Sequence, residues 1–207
     1  MNLGTLRALY RYPVKSLPPQ VLDAVYVDAD GVEGDRRRAL IAEAGARLGK
    51  AARGKEHPRF HLLPSPGEAI ASAPDEQLTL HESEERYYDD APVSLIVDRW
   101  LDGLSTYVGY PVEHQRFRPN FFVAAAADAP AEAALTGREL QLGEVVLRVR
   151  YPIERCVVPT YDLHGGEPDP RILRYVAQAR SAWMGIYCDV PRAGIVRIGD
   201  SLSLIER

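Results

Sequence analysis

Cysteine is scarce in this chain: two thiols, Cys156 and Cys188, stand 32 positions apart in 207 residues. Two thiols cannot build a four-thiolate zinc or iron–sulfur site, nor the dense, even framework of a small secreted domain. Also missing is any apolar run near the roughly 20 residues of a membrane span. The first residues, MNLGTLRALYRYPVKS, lack the apolar core of a signal peptide. These absences predict a cytoplasmic protein with reduced thiols and no membrane partner. Nor is there an excess of charge of one sign. With 25 basic against 29 acidic side chains the net charge is -4, which argues against a nucleic-acid surface and requires any anion site to be local.

What is present is an ordinary globular composition, 46% hydrophobic and 26% charged, on a length that suits one large domain or two small intimate ones. Short segments with alternating or β-branched character recur between Gly, Pro and Asp turns. They cover residues 3–12, 21–28, 38–43, 60–63, 77–81, 112–117, 121–124, 139–142, 145–149, 185–190, 194–198 and 201–205. So many short strands predict a mainly β fold, a closed or nearly closed barrel over about 112–205, and exclude a parallel α/β sheet, which needs crossover helices.

Two stretches have helical spacing. Val93, Ile96, Val97, Trp100, Leu101, Leu104 and Val108 recur at three and four residues behind Asp90 and Pro92, predicting a helix over 93–108. Ile172, Leu173, Val176 and Ala177 do the same behind Asp169 and Pro170. Residues 124–136 are alanine-rich and read as a short helix or a loop, and a boundary near residue 90 divides a β-rich region, 1–90, from the barrel part, 91–207.

Candidate chemistry concentrates in VRYPIERCVVPTYD, where Cys156 follows Arg155 in a Pro-flanked loop at a strand end. An adjacent guanidinium favours the thiolate. Against this stands the ordinary fate of a lone cysteine, a small buried hydrophobe; the charged and polar neighbours Glu154, Thr160 and Asp162 weigh the other way. Upstream, RFRPN carries Arg116, Arg118 and Asn120. On a strand the two arginines share a face and suit a phosphate. Nearer the start, Lys15 and Ser16 in YPVKS and Arg36 in GDRRR add cations and a hydroxyl. Each piece alone also reads as a solvated face or a plain turn.

In combination, PVKS, GDR, RFRPN and ERCVVPTYD with GEPDP after it resemble the MOSC family, named for the C-terminal domain of molybdenum cofactor sulfurases, and within it the amidoxime-reducing component and its bacterial relatives. The resemblance implies a MOSC-type β-barrel with a smaller β-rich N-terminal part and a few peripheral helices. It implies the molybdenum cofactor, a Mo-molybdopterin, with Cys156 as the metal ligand. Lys15, Ser16, Arg36, Arg116, Arg118, Asn120, Arg155 and Thr160 would surround the pterin and its phosphate, and Asp162 would orient the loop or relay a proton. A family-level association with pyridoxal phosphate comes with it.

The activity so implied is reduction of an N-hydroxylated or related oxygenated small molecule, with electrons from a separate ferredoxin, flavoprotein or cytochrome-type donor, since no cysteines remain for a cluster. A non-catalytic cofactor carrier or sulfur-transfer module using Cys156 is the alternative. A cysteine hydrolase with His164 or His114 as base has no readable acid partner, and Cys188 reads as core in a strand.

Overall fold

The computed structural model describes residues 1–126 and 130–205; residues 127–129, within the alanine-rich stretch, and 206–207 lie outside the described residues. The strands of the first half are β1 (Asn2–Arg11), β2 (Gln20–Leu22), β3 (Ala24–Asp28), β4 (Gly31–Val32), β5 (Arg38–Ala42), β6 (Leu78–Glu82) and β7 (Val93–Val97). Those of the second are β8 (Phe121–Ala125), β9 (Glu139–Leu142), β10 (Val145–Glu154), β11 (Trp183–Arg192), β12 (Gly194–Arg197) and β13 (Ser201–Leu204). The α-helices are α1 (Pro66–Ser72), α2 (Asp102–Val108) and α3 (Pro170–Ala179).

Seven strands close into a barrel in the order β13-β9-β10-β11-β7-β8-β1, with β1 pairing back onto β13. The barrel expected over 112–205 is therefore real but draws in β1 and β7 as well. Within the ring the β7–β8 pair is parallel and the other pairs antiparallel. Closure leaves no long exposed edge. Where β1 crosses β8 the backbones approach so closely that a Cβ at Gly4 would stand 2.1 Å from the Ala124 carbonyl oxygen, which only glycine avoids.

The barrel interior is one hydrophobic core, including Leu6, Leu95, Phe121, Leu140, Leu147, Ile186, Cys188 and Leu202. A second, smaller core, built from Val14, Leu17, Leu40, Ala42, Ala52, Phe60, Ala69 and Leu78, lies beneath the β5–β6 sheet and α1. β3, β4 and β12 form a separate three-stranded sheet.

Several local expectations are corrected. Residues 93–97 are a strand, followed by a 3-10 turn at Asp98–Leu101 and α2. Every residue of β7 is buried, so its apolar spacing marks a doubly covered strand rather than one face of a helix. Asp90 caps nothing; its side chain accepts a hydrogen bond from Tyr151. Residues 60–62 and 114–117 are 3-10 turns, not strands. Arg118 ends the second of these in the left-handed region at φ 52°, so Arg116 and Arg118 do not share a strand face. The helix expected behind Asp169 and Pro170 is α3, with the Asp169 side chain accepting from the Arg171 amide. In the alanine-rich stretch, Glu132–Leu135 is a 3-10 turn.

Candidate functional site

The connections after β1 and β10 and before β7 and β8 line one cleft of about 430 Å³. Lys15, Ser16, Arg36, Arg116, Arg118, Asn120, Arg155 and Cys156 all contribute to its wall. Seven lysines and arginines face two carboxylates there, although the chain as a whole is acidic. These cations come from five separate stretches of the chain, at Lys15, Arg36, Arg53 with Lys55, Arg116 with Arg118, and Arg155.

Tyr12 organises the cations. It is fully buried, its hydroxyl donates to the Pro119 carbonyl at 3.2 Å, and the guanidinium groups of Arg36 and Arg118 lie 4.7 and 4.3 Å from its ring centre. Arg118 donates to the Leu17 carbonyl at 2.8 Å. Burial, set against help from Tyr12, pushes its pKa down to about 10. Arg36 is paired with Asp35; burial alone would lower its pKa, but Asp35 and Tyr12 raise it. Lys15 donates to the Tyr87 carbonyl at 2.9 Å and to Asp89 at 2.5 Å. Ser16, at φ 72°, donates to the Ala52 carbonyl at 3.1 Å.

Arg155 carries one donor that the protein leaves unmet. Its Nε and Nη1 donate to the Met184 and Phe117 carbonyls at 2.7 and 2.9 Å, and burial pushes its pKa down to about 10. Its Nη2 is buried and has no partner among the described residues. Gly185 makes the room: a Cβ there would stand 3.0 Å from this nitrogen. A buried guanidinium nitrogen without an acceptor costs free energy that an entering anion would recover.

Cys156 is exposed at the cleft, two residues beyond β10, whereas Cys188 is fully buried with its thiol pKa raised by burial. The two are free thiols. The loop that carries Cys156 is pinned from behind. Arg116, 6% exposed, donates to the Tyr161 carbonyl at 2.5 Å and to Asp162 at 3.0 Å. Asp162 also accepts from the amides of Gly166 and His164 at 3.0 and 2.8 Å, and these bonds, with Arg116, hold its carboxyl below the usual range.

Not every predicted residue presents itself to the cleft. Asp162 and Thr160 stand outside its lining, and Thr160 is buried with its hydroxyl donating to the Val157 carbonyl. Asn120 reaches the wall, but its amide is engaged: Oδ1 accepts from the amide and hydroxyl of Ser94, and Nδ2 donates to the Tyr10 carbonyl. His164 sits 77% exposed beside Glu113, and His114 is stacked on Phe122, with burial lowering its pKa to about 4.

The sequence reading missed Tyr12, Asp89, His61, Arg53 and Lys55. Tyr12 stood inside the quoted YPVKS, but nothing in sequence shows that one ring will support two guanidinium groups. His61 hydrogen-bonds the Asp162 carbonyl at 2.8 Å and lies parallel to Tyr161, and burial lowers its pKa.

Residues 79–203 match the MOSC domain family. The chain belongs to that family. Among solved structures, it is similar to the YUAD protein from Bacillus subtilis, at 19% identity and a TM-score of 0.61, covering 98% of this chain and 94% of the other. A hypothetical protein is similar at 12% identity and TM-score 0.52, covering 100% and 70%. YiiM from Escherichia coli is similar at 12% and 0.50, covering 98% and 70%. At these identities the likeness concerns the fold. No curated protein sequence matches the chain.

MOSC domains are linked to molybdenum cofactor binding, and the donor set here fits that group. The buried Nη2 of Arg155 needs an acceptor, the Lys15, Arg36 and Arg118 cluster suits a phosphate, and the exposed Cys156 in the same cleft offers a soft sulfur to a metal.

Proposed function

We propose that this MOSC protein binds the molybdenum cofactor in the basic cleft, with the Cys156 thiolate on the metal and the phosphate against Lys15, Arg36 and Arg118. The observation that carries the reading is the placement of the exposed cysteine in the same cleft as the cations Lys15, Arg36 and Arg118. Bound there, the cofactor would supply two-electron redox chemistry at a metal open to a small oxygenated molecule.

On this reading the protein is an oxidoreductase that removes oxygen from an N-hydroxylated or related substrate. Overall, the N–OH compound takes up two electrons and two protons and leaves as the N–H compound and water. The electrons come from a separate donor protein of ferredoxin, flavoprotein or cytochrome type. Arg155 would add its charge to the wall that holds the cofactor's anionic groups, while Arg116 and Asp162 hold the loop so that Cys156 faces the cleft. Fixed cations in a partly dry site need no reorganisation when the anion arrives.

The test is molybdenum content, with pterin fluorescence after denaturation, on protein made in a host that synthesises the cofactor. Cys156→Ser exchanges a soft ligand for a hard one and is expected to lose molybdenum while melting at the midpoint of cofactor-free wild type. Cys188→Ala is expected to keep molybdenum and lose about 1 kcal/mol of stability from core packing. Full molybdenum in Cys156→Ser, or its unfolding, would overturn the assignment. Because an exposed thiol also suits delivery of the cofactor or of sulfur, molybdenum retained without reductase turnover by any donor would favour the carrier reading.

A further inference from the structure

Of the two carboxylates that line the cleft, Asp89 is the one that meets the cations. Its Oδ1 lies 2.5 Å from Lys15 Nζ, and its charge acts on Arg36, Arg118 and Arg155. The pair is lopsided: the lysine side chain is 15% exposed, the aspartate 71%. The backbone on either side of Asp89 is fastened. The Tyr87 amide donates to the Arg36 carbonyl at 2.8 Å, and Arg150 Nη1 donates to the Asp90 carbonyl at 2.8 Å. Releasing Lys15 therefore needs only rotation of one exposed side chain.

We propose that Asp89 is an internal counter-ion of the cation cradle, which every incoming anion must displace and which sets a threshold that a dianion passes more readily than a monoanion. The inference rests on the anion-binding reading of the cleft. A free monoanion that takes the carboxylate's place exchanges one negative charge for another, and it competes with a group already tethered at high effective concentration. A dianionic phosphomonoester brings a second charge to Lys15, Arg36 and Arg118, and so gains where the monoanion breaks even. The carboxylate is thereby an affinity threshold: its displacement costs every anion the same, so a weakly attracted monoanion stays out of a cradle that a more strongly attracted dianion still enters.

The experiment titrates the intact protein with inorganic phosphate at roughly pH 8, where it is mostly dianionic, and separately with formate, by calorimetry. Wild type, Asp89→Asn and Glu154→Gln are compared, the last removing the other carboxylate of the cleft. Asp89→Asn is expected to bind phosphate about fivefold more tightly, the size of one partly exposed ion pair, and to gain affinity for formate by the same factor, because the displacement cost it removes falls equally on both anions. Glu154→Gln is expected to change either affinity by less than twofold, about the reach of an unpaired exposed charge. Thermal midpoints of both variants check that each is folded, with Asp89→Ser as a second variant at the site. If wild type binds phosphate and Asp89→Asn binds it equally or more weakly, the counter-ion role is wrong while the anion site stands. Equal gains in Asp89→Asn and Glu154→Gln would reduce the effect to net charge and overturn it. Absence of phosphate binding in all three proteins would remove the cradle, and with it the cofactor reading.

Discussion

Arg116 is held through both terminal nitrogens of its guanidinium. It is 6% exposed, bonded to the Tyr161 carbonyl and to Asp162, and so ties the segment before β8 to the loop that presents Cys156. Lysine keeps the charge but loses the planar fork that serves two acceptors at once. Arg116→Lys is expected to cost about 2 kcal/mol in chemical denaturation and to raise the rate at which iodoacetamide alkylates Cys156, because the loop loosens. An unchanged rate and midpoint would take Arg116 out of this role. The motif RFRPN displays two cations, and their chemistry was legible. Their geometry was not, because the left-handed Arg118 and the 3-10 turn before it depend on the partners the chain meets: Tyr12, Leu17 and Tyr161. Cys156 and Cys188 were separable from sequence because their neighbours differ, polar loop against apolar strand, and the structure exposes the first and buries the second.

At the scale of elements, the contrast between β7 and α3 shows which patterns can be read. α3 has one apolar face, an Asp–Pro start and solvent on its other side, so helical spacing and capping agree. β7 is buried throughout, and a short apolar run carries no usable period. The α3 cap also makes a quantitative prediction. Arg171, against some opposition from burial, and Tyr110 hold the Asp169 carboxyl at about pKa 2, below its ordinary 3.8. A carboxyl depressed on folding adds stability above its unfolded pKa and loses it as pH falls towards the folded value. Asp169→Ala is therefore expected to lower stability by about 1 kcal/mol at neutral pH, and the difference between variant and wild type is expected to shrink as pH falls from about 4 towards 2. A pH-independent difference in denaturant midpoints across that window would show that the side chain acts by packing instead.

For the whole molecule, the decisive feature is that the chain's first strand closes a barrel made mostly from its second half. β1 pairs with β13 on one side and β8 on the other, and Leu3, Leu6 and Leu9 enter the main core at 1%, 0% and 0% exposure. Nothing in the local pattern of β1 announces those partners, since pairing across nearly the full chain is a matter of topology, not propensity. The residues between β1 and β7 have a small core of their own, which is why the sequence allows a boundary near residue 90. The two parts are nevertheless unequal in independence. A fragment of residues 91–207 lacks β1, which exposes the edges of β8 and β13 and removes three buried leucines worth roughly 1.5 to 3 kcal/mol each. That loss is comparable to the whole stability of an ordinary domain, about 5 to 15 kcal/mol. The fragment alone is expected to be aggregated or molten, with little near-ultraviolet circular dichroism and no cooperative melt. Adding a synthetic peptide of residues 1–12 is expected to restore a cooperative transition whose midpoint rises with peptide concentration. A fragment that melts cooperatively without the peptide would mean that β1 covers the barrel without being needed to close it.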